Sequence, residues 1–246
     1  MKLSKALGNV LLLAFMVGMA SCQKEFELSE TSVSLNQGDQ YTIGYENGTN
    51  LVYTSDNPYV ASVDDEGVVT AHFVGEATID VVASEGRQSL RINVVPLHTV
   101  YEEPYVDFSM TKSEVMTMYG DSYLGYNDSG MVFFEGKGKY AYGYLFIDGD
   151  LQCIYVWCKY TSIDEVLDFL DERYYYVGEE EDFHMHTNWQ DMAIGSGEYK
   201  GHPNFGFGTM VFYYPIDFSA MAISRGVAMF KSGLEKMLDN SNVDMK

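Results

Sequence analysis

Short stretches that alternate polar and apolar residues, separated by turn residues, run from residue 28 to residue 96. Ser32-Val33-Ser34-Leu35 shows the alternation, and a turn around Gly38 follows it. The other strand candidates of this segment are 40–45, 51–54, 60–63, 68–71, 77–83 and 89–95. Several short strands at this spacing, with no helical period, predict a small antiparallel β-sandwich.

The pattern changes after residue 103, where helix and strand signals are mixed. Thr111 to Glu114 is a capping box, and the apolar positions that follow it end at Gly120, which predicts a short helix. Ser162 to Glu165 repeats the capping box before a second apolar stripe. Asp148-Gly149 lies between two apolar runs and predicts a two-residue hairpin. The order of helix followed by strands therefore occurs twice, and we expect an α+β domain over 103–240, an antiparallel sheet with both helices on one face.

The last part of this segment has a helical spacing of apolar residues. The spacing runs from Ser219 to Leu238 and predicts a packing helix, although Gly226 and Gly233 weaken the pattern. Four charged residues within it argue against a membrane-spanning helix. Residues 241–246 are expected to be a flexible tail.

The amino terminus has the organisation of a lipoprotein signal. Lys2 and Lys5 precede an apolar run from Val10 to Ala20, and Cys22 follows two small residues. The run has eleven residues, fewer than the roughly 20 that a membrane-spanning helix needs. We therefore expect residues 1–21 to be removed and Cys22 to carry the lipid that anchors the protein outside the cytoplasm.

The residues after Cys22 refine this location. Gln23-Lys24-Glu25-Phe26-Glu27 resembles the acidic export signal of surface lipoproteins of Bacteroidota. The resemblance implies an outer-membrane lipoprotein that is exposed on the cell surface. The alternative is a tether, 22–27, that carries no signal.

Three motifs in the first segment resemble a known family, the bacterial immunoglobulin-like domain, group 2. They are Tyr53–Asp64, Gly67–Ala71 and Gly75–Ile79, and Tyr53 stands where the family often has tryptophan. Such modules occur in intimin- and invasin-like surface proteins. The resemblance implies that residues 28–96 form an immunoglobulin-like sandwich that acts as a spacer or interaction domain and does no chemistry.

The second segment resembles the folds of β-lactamase inhibitory protein and of outer-membrane-assembly lipoproteins, which join a short capped helix to a strand pair. The residues that carry this resemblance are Thr111, Glu114, Val115, Gly120, Asp148 and Gly149. It implies a sheet face that binds proteins.

The charge of the chain excludes one class of partner. Fifteen basic and 36 acidic residues give a net charge of -21, and such a surface repels phosphate backbones. We therefore expect no nucleic-acid partner. A second interpretation of the acidity is that some loop carboxylates bind divalent cations.

The two remaining cysteines do not suggest a disulfide. Cys153 and Cys158 lie five residues apart in a predicted strand, so they point to opposite faces and are too far apart to bond. We expect two independent buried thiols.

Few residues suggest catalysis or metal binding. His184 and His186 would share one face of a strand, close to the acidic run Glu179–Asp182, and are candidate metal ligands. A polar edge strand is the favoured alternative. Ser196 lies in an ordinary glycine turn, and the chain has no G-x-S-x-G element. We expect neither enzymatic activity nor a cofactor.

Aromatic residues are the stronger functional signal of the second segment. Rings that alternate along strands can form a platform for sugars or proteins, although we expect most of them to be buried. The candidate ligand-binding residues are Tyr142, Tyr144, Tyr155, Trp157 and Tyr213.

Together these features predict a non-catalytic cell-surface lipoprotein. An immunoglobulin-like spacer would present a distal recognition domain for adhesion or protein binding. The alternative is a glycan-binding lipoprotein of a polysaccharide-uptake system. The expected partners are the outer membrane, through the lipid on Cys22, and an extracellular protein or glycan.

Overall fold

The computed structural model describes residues 25–126, 130–180, 182–202 and 206–216, together with the backbone of residues 244–245. The predicted lipidation site, Cys22, and the predicted helix between Ser219 and Leu238 lie outside the described residues.

Nine short strands form the first region. They are β1 (Glu27–Leu28), β2 (Ser32–Leu35), β3 (Gln40–Thr42), β4 (Tyr45–Glu46), β5 (Val52–Ser55), β6 (Ala61–Val63), β7 (Val68–Ala71), β8 (Gly75–Ala83) and β9 (Gly86–Val94). Among the described residues they form a four-stranded sheet in the order β2-β9-β8-β5, a three-stranded sheet in the order β3-β7-β6, and the pair β1-β4. Only β2 and β9 pair in parallel within this region as described. The predicted sandwich of short strands is confirmed.

Aliphatic side chains fill the core between these sheets. Ile79, Val81 and Ile92 are fully buried because alternate residues of β8 and β9 point to the same side. Gly67 has a φ of +78°, and a side chain there would collide with the Tyr53 ring, so the predicted turn requires glycine. Phe26 is also buried in this core. The tether predicted over 22–27 therefore ends earlier, because Phe26 belongs to the folded region.

As far as the chain is described, the second region contains two α-helices, one short 3-10 helix (Gly120–Ser122) and nine strands. The α-helices and strands are α1 (Lys112–Tyr119), β10 (Tyr123–Tyr126), β11 (Met131–Glu135), β12 (Tyr140–Ile147), β13 (Asp150–Lys159), α2 (Ile163–Asp171), β14 (Tyr175–Glu180), β15 (Phe183–Thr187), β16 (Met192–His202), β17 (Gly206–Pro215) and β18 (Asp244–Met245). Thr111 and Ser162 cap the two helices through the predicted capping boxes. Asp148 and Gly149 both have positive φ, as the predicted two-residue hairpin between β12 and β13 requires.

The strands of this second region, which we call the sheet region, form one antiparallel sheet. In the described part of the chain its order is β14-β15-β16-β17-β13-β12-β11-β10-β18. Val115 of α1 and Val166, Phe169 and Leu170 of α2 join one buried cluster on one face of this sheet. Both predicted halves therefore lie in one sheet, and both helices cover the same face.

Successive residues of the central strands belong to different faces. Cys158 lies in the helix-side cluster, whereas Cys153 lies in a second buried cluster on the opposite face. Both thiols are free and buried, as predicted. Among the described residues, no helix has the length and apolar composition of a membrane span.

Candidate functional site

The five aromatic residues predicted to bind a ligand are core residues. Tyr142 is 5% exposed and Trp157 is fully buried. Tyr142, Tyr144 and Tyr213 pack under the helices, whereas Tyr155 and Trp157 belong to the cluster on the opposite face. The predicted platform is therefore wrong, because alternate strand positions divide these rings between two buried faces.

Three of the exposed rings belong to β14 and to the turn after β15, where the sheet region meets the first region. Tyr175 is 40%, Tyr176 51% and Trp189 56% exposed. The ring centroids of Tyr175 and Trp189 are 6.4 Å apart. We call these three residues the junction patch.

The turn between β15 and β16 presents Trp189. The side-chain oxygen of Asn188 accepts hydrogen bonds from the backbone N–H groups of Gln190, Asp191 and Met192. Trp189 itself has a φ of +56°, a left-handed conformation that is unusual for an aromatic residue. The Asn188 hydrogen bonds compensate for this backbone strain and hold the indole at the surface.

A polar cleft of about 530 Å³ adjoins the patch. Tyr176 links the two, because its hydroxyl donates to the Glu179 carboxylate at 3.5 Å and its ring lies 6.5 Å from the His184 ring. The cleft contains three carboxylates and one lysine, and it is lined by Ile163, Glu179, Asp182, Phe183, His184, Glu198 and Lys200. The excess of acidic groups favours a ligand that carries cationic or hydroxyl groups.

The two predicted metal ligands have protein partners. His184 Nδ1 lies 3.3 Å from a Glu179 carboxylate oxygen, and His186 Nε2 lies 2.8 Å from Asp171 Oδ1. Burial lowers the pKa of His186, although the Asp171 carboxylate acts in the opposite direction. Among the described residues, no three His, Cys, Asp or Glu side chains come together as a metal-binding group. The structure therefore does not assemble the predicted metal site, and His186 instead ties β15 to the end of α2.

Ser196, His186 and Asp171 are residue types that form catalytic triads. Ser196 Oγ and His186 Nδ1 are buried, and neither has a hydrogen-bond partner. A nucleophile and its base require a mutual hydrogen bond and access to substrate. Ser196 and His186 lack both features, because both are buried and no hydrogen bond joins them, whereas the Asp171 side chain is 55% exposed.

Sequence reasoning missed the residues of the junction patch. Tyr175 and Tyr176 belong to a run of three tyrosines after α2, which has no alternation that reveals exposure. Trp189 sits within a turn signal, Asn188 to Asp191, and that context was the available indication that its ring is exposed.

Comparisons with known proteins agree with the first region. Residues 24–94 match the family model of the bacterial Ig-like domain (group 2). This segment is a bacterial immunoglobulin-like domain. The match begins before Phe26, in accordance with the burial of that ring. No curated protein matches the chain.

Two solved structures show weaker similarity to the whole chain. One is the S-layer protein SbsC, domains 5–6, with 12% identity, coverage of 81% of this chain and 86% of that chain, and a TM-score of 0.25. The other is the surface layer protein SbsC, domains 4–9, with 14% identity, coverage of 81% of this chain and 28% of that chain, and the same TM-score of 0.25. Similarities at this level support no inference about the fold or function of this protein.

Proposed function

We propose that this protein is a non-catalytic, surface-exposed lipoprotein that binds a partner protein through the junction patch and the adjoining cleft. The observation that carries the proposal is the pair of exposed rings Tyr175 and Trp189, whose centroids lie 6.4 Å apart, with the exposed Tyr176 next to Tyr175 in β14. Tyrosine and tryptophan supply large contact areas at a small cost in side-chain entropy, and they are enriched among the residues that dominate binding energies.

The charge around the patch defines the chemistry of the partner. Asp171 and Glu179 are more than half exposed beside Tyr176, and Glu198 lines the cleft. A complementary partner surface carries lysine or arginine, whose cationic groups also bind to aromatic faces. Adhesion to a basic protein of the extracellular environment fits this description.

The recognition test compares the patch with a matched control. Tyr176→Ala and Trp189→Ala are expected to abolish capture of the partner by the lipid-free protein. Tyr126→Ala is the control, because Tyr126 is 50% exposed and lies on β10, far along the sheet from β14. Equal loss of capture in all three variants, or in none, would contradict a role for the patch.

The location test uses intact cells. Lipidation at Cys22 and export to the surface predict that added proteinase cleaves the native protein on whole cells. Cys22→Ala is the control and is expected to be protected because it is not anchored. Protection of the native protein until the outer membrane is opened would refute surface exposure.

Glycan binding is the second candidate function. It is favoured by Trp189, whose exposed ring lies beside the polar side chains Asn188 and Asp191, because sugars combine stacking on a ring with hydrogen bonds to carboxylates and amides. A glycan array probed with the native protein and with Trp189→Ala tests it. Array signals that Trp189→Ala leaves unchanged would count against this function for the patch.

A further inference from the structure

The immunoglobulin-like domain contributes rings to the base of the junction patch. Phe73 is buried, and its ring meets the Tyr175 ring edge-on at a centroid distance of 4.6 Å. Tyr59 stacks on Phe73 at 4.6 Å and meets Tyr175 at 5.7 Å. Two rings of one region therefore restrict the orientation of a ring of the other region.

The same domain also supplies hydrogen-bond donors to the backbone carbonyl groups at the carboxyl-terminal end of α2. The last carbonyl groups of a helix lack partners within the helix and need donors from elsewhere. Gln37 Nε2 donates to the Asp171 carbonyl at 2.8 Å, and the Val74 N–H donates to the Glu172 carbonyl at 2.8 Å. The Tyr59 hydroxyl donates to the Arg173 carbonyl. Three successive carbonyls thus accept hydrogen bonds from the immunoglobulin-like domain.

The connection between the two regions is held by one buried carboxylate. Glu172 accepts hydrogen bonds from the N–H groups of Leu97 and His98 at 3.0 and 3.1 Å, and its Oε1 lies 3.0 Å from His98 Nδ1. The side chain of Glu172 is 6% exposed, and the Arg173 guanidinium lies 3.5 Å away. A paired, buried carboxylate with several donors resists displacement by water.

We propose that the immunoglobulin-like domain is part of the recognition surface and not a spacer. Tyr59 and Phe73 are positioning residues for Tyr175, and the contacts around Glu172 hold the two regions in a single orientation. The junction patch then has its binding geometry only in the two-region protein. The assignment of the patch as a recognition surface rests on the proposed function, whereas the coupling of the two regions does not.

The first test compares two buried phenylalanines of the immunoglobulin-like domain in the full mature chain without lipid. Phe73→Leu removes the ring that contacts Tyr175, and Phe26→Leu removes a ring of the same core that contacts Tyr45 instead. Hydrogen exchange of the segment 171–176 is expected to become about ten-fold faster or more in Phe73→Leu and to stay unchanged in Phe26→Leu. Unchanged exchange in both variants, or equal acceleration in both, would overturn the proposal.

Tryptophan fluorescence supplies a second readout. The chain has two tryptophans, and Trp157 is fully buried while Trp189 is exposed beside Tyr175. Quenching by acrylamide therefore reports mainly on Trp189. The quenching constant is expected to change in Phe73→Leu and to keep its native value in Phe26→Leu, and the reverse result would overturn the proposal.

Neither readout contains a ligand. Equal behaviour of Phe73→Leu and Phe26→Leu would therefore refute this inference while leaving recognition by the patch intact. Conversely, absence of any effect of Tyr176→Ala on partner capture would refute the proposed function while leaving the coupling intact.

Discussion

The two regions of this protein are built around different cores. The immunoglobulin-like core consists mainly of alanine, valine, leucine and isoleucine, whereas the helix-side core of the sheet region contains five buried tyrosines. Buried tyrosines need partners for their hydroxyl groups. Tyr101 and Tyr213 bond to each other at 2.6 Å, and Tyr119 and Tyr144 do so at 2.7 Å. The tyrosine content of the sheet region therefore reflects its packing and not the size of a ligand platform.

The exposed aromatic rings are not part of either core. Two of them, Tyr175 and Trp189, lie together at the boundary between the regions, where Tyr175 also contacts Phe73 of the immunoglobulin-like domain. The described residues also expose Tyr45, Tyr105, Tyr126, Tyr160 and Phe207. Recognition is therefore proposed at the boundary, and each of the following changes tests the division between structural and exposed rings.

The largest effect is expected from truncation of a core tyrosine. Tyr144→Ala should lower the free energy of unfolding of the sheet region by about 3–5 kcal/mol, because it creates a cavity and leaves the Tyr119 hydroxyl without its partner. Tyr176→Ala, the exposed counterpart, should change it by less than about 0.5 kcal/mol.

Thiol labelling in urea provides a readout specific to the sheet region. Burial raises the pKa of Cys153 to about 12 and also raises that of Cys158, so both thiols should react only after the region opens. Similar labelling midpoints for Tyr144→Ala and Tyr176→Ala would contradict the distinction between buried structural rings and exposed rings.

The next effect concerns the connection between the cores. Glu172→Ala should lower the free energy of unfolding by about 2 kcal/mol, because it removes charge-assisted hydrogen bonds to Leu97, His98 and Arg173. Calorimetry should show the unfolding transition of the native protein dividing into two. Glu179→Ala, which removes a largely exposed carboxylate, is the control and should leave the profile unchanged.

A smaller effect is expected from removal of one hydroxyl group. Tyr213→Phe should lower the free energy of unfolding by about 1 kcal/mol, because the Tyr101 hydroxyl is left buried without its partner. The double change Tyr101→Phe with Tyr213→Phe should cost less than the sum of the single changes. Additive costs in urea unfolding would show that the two hydroxyls do not interact.

The smallest effect is a dependence of stability on pH. Burial lowers the pKa of His186 in the folded protein, so the unfolded chain binds a proton near pH 6.5 before the folded chain does. The free energy of unfolding should therefore fall as the pH drops below about 6.5, by at most about 1.4 kcal/mol per pH unit from this group. Urea titrations between pH 5 and pH 7 measure this slope.

Two variants isolate the contribution of His186. His186→Gln should make the free energy of unfolding depend less on pH between pH 5 and pH 7. Asp171→Asn should steepen it, because the carboxylate that opposes the effect of burial is lost. A His186→Gln profile identical to that of the native protein would contradict the assignment.

Local signals explain how much of the fold the sequence predicts. The capping boxes at Thr111 and Ser162, the Asp148-Gly149 hairpin and the alternation in β2 act over a few residues, and each appears in the structure. The order of strands in the sheet region depends on the pairing of β13 with β17, about fifty residues apart, and no local pattern specifies that pairing.

The candidate site was less predictable for the same reason. Tyr142 and Tyr176 are the same residue type on similar strands, but helices cover one and not the other. The role of Glu172 depends on the linker residues Leu97 and His98, which are distant in sequence. Exposure and pairing of this kind arise from tertiary packing, which short-range patterns do not encode.

Site-specific photocrosslinking on intact cells is the direct test of recognition at the junction patch. A benzophenone amino acid, which reacts with C–H groups of both proteins and glycans, would replace Tyr176, Trp189 or, as the equally exposed control, Tyr126. Crosslinked species are expected from positions 176 and 189, and none is expected from position 126. Crosslinking from position 126 alone, equal crosslinking from all three positions, or no crosslinking at any of them would contradict recognition at the junction patch.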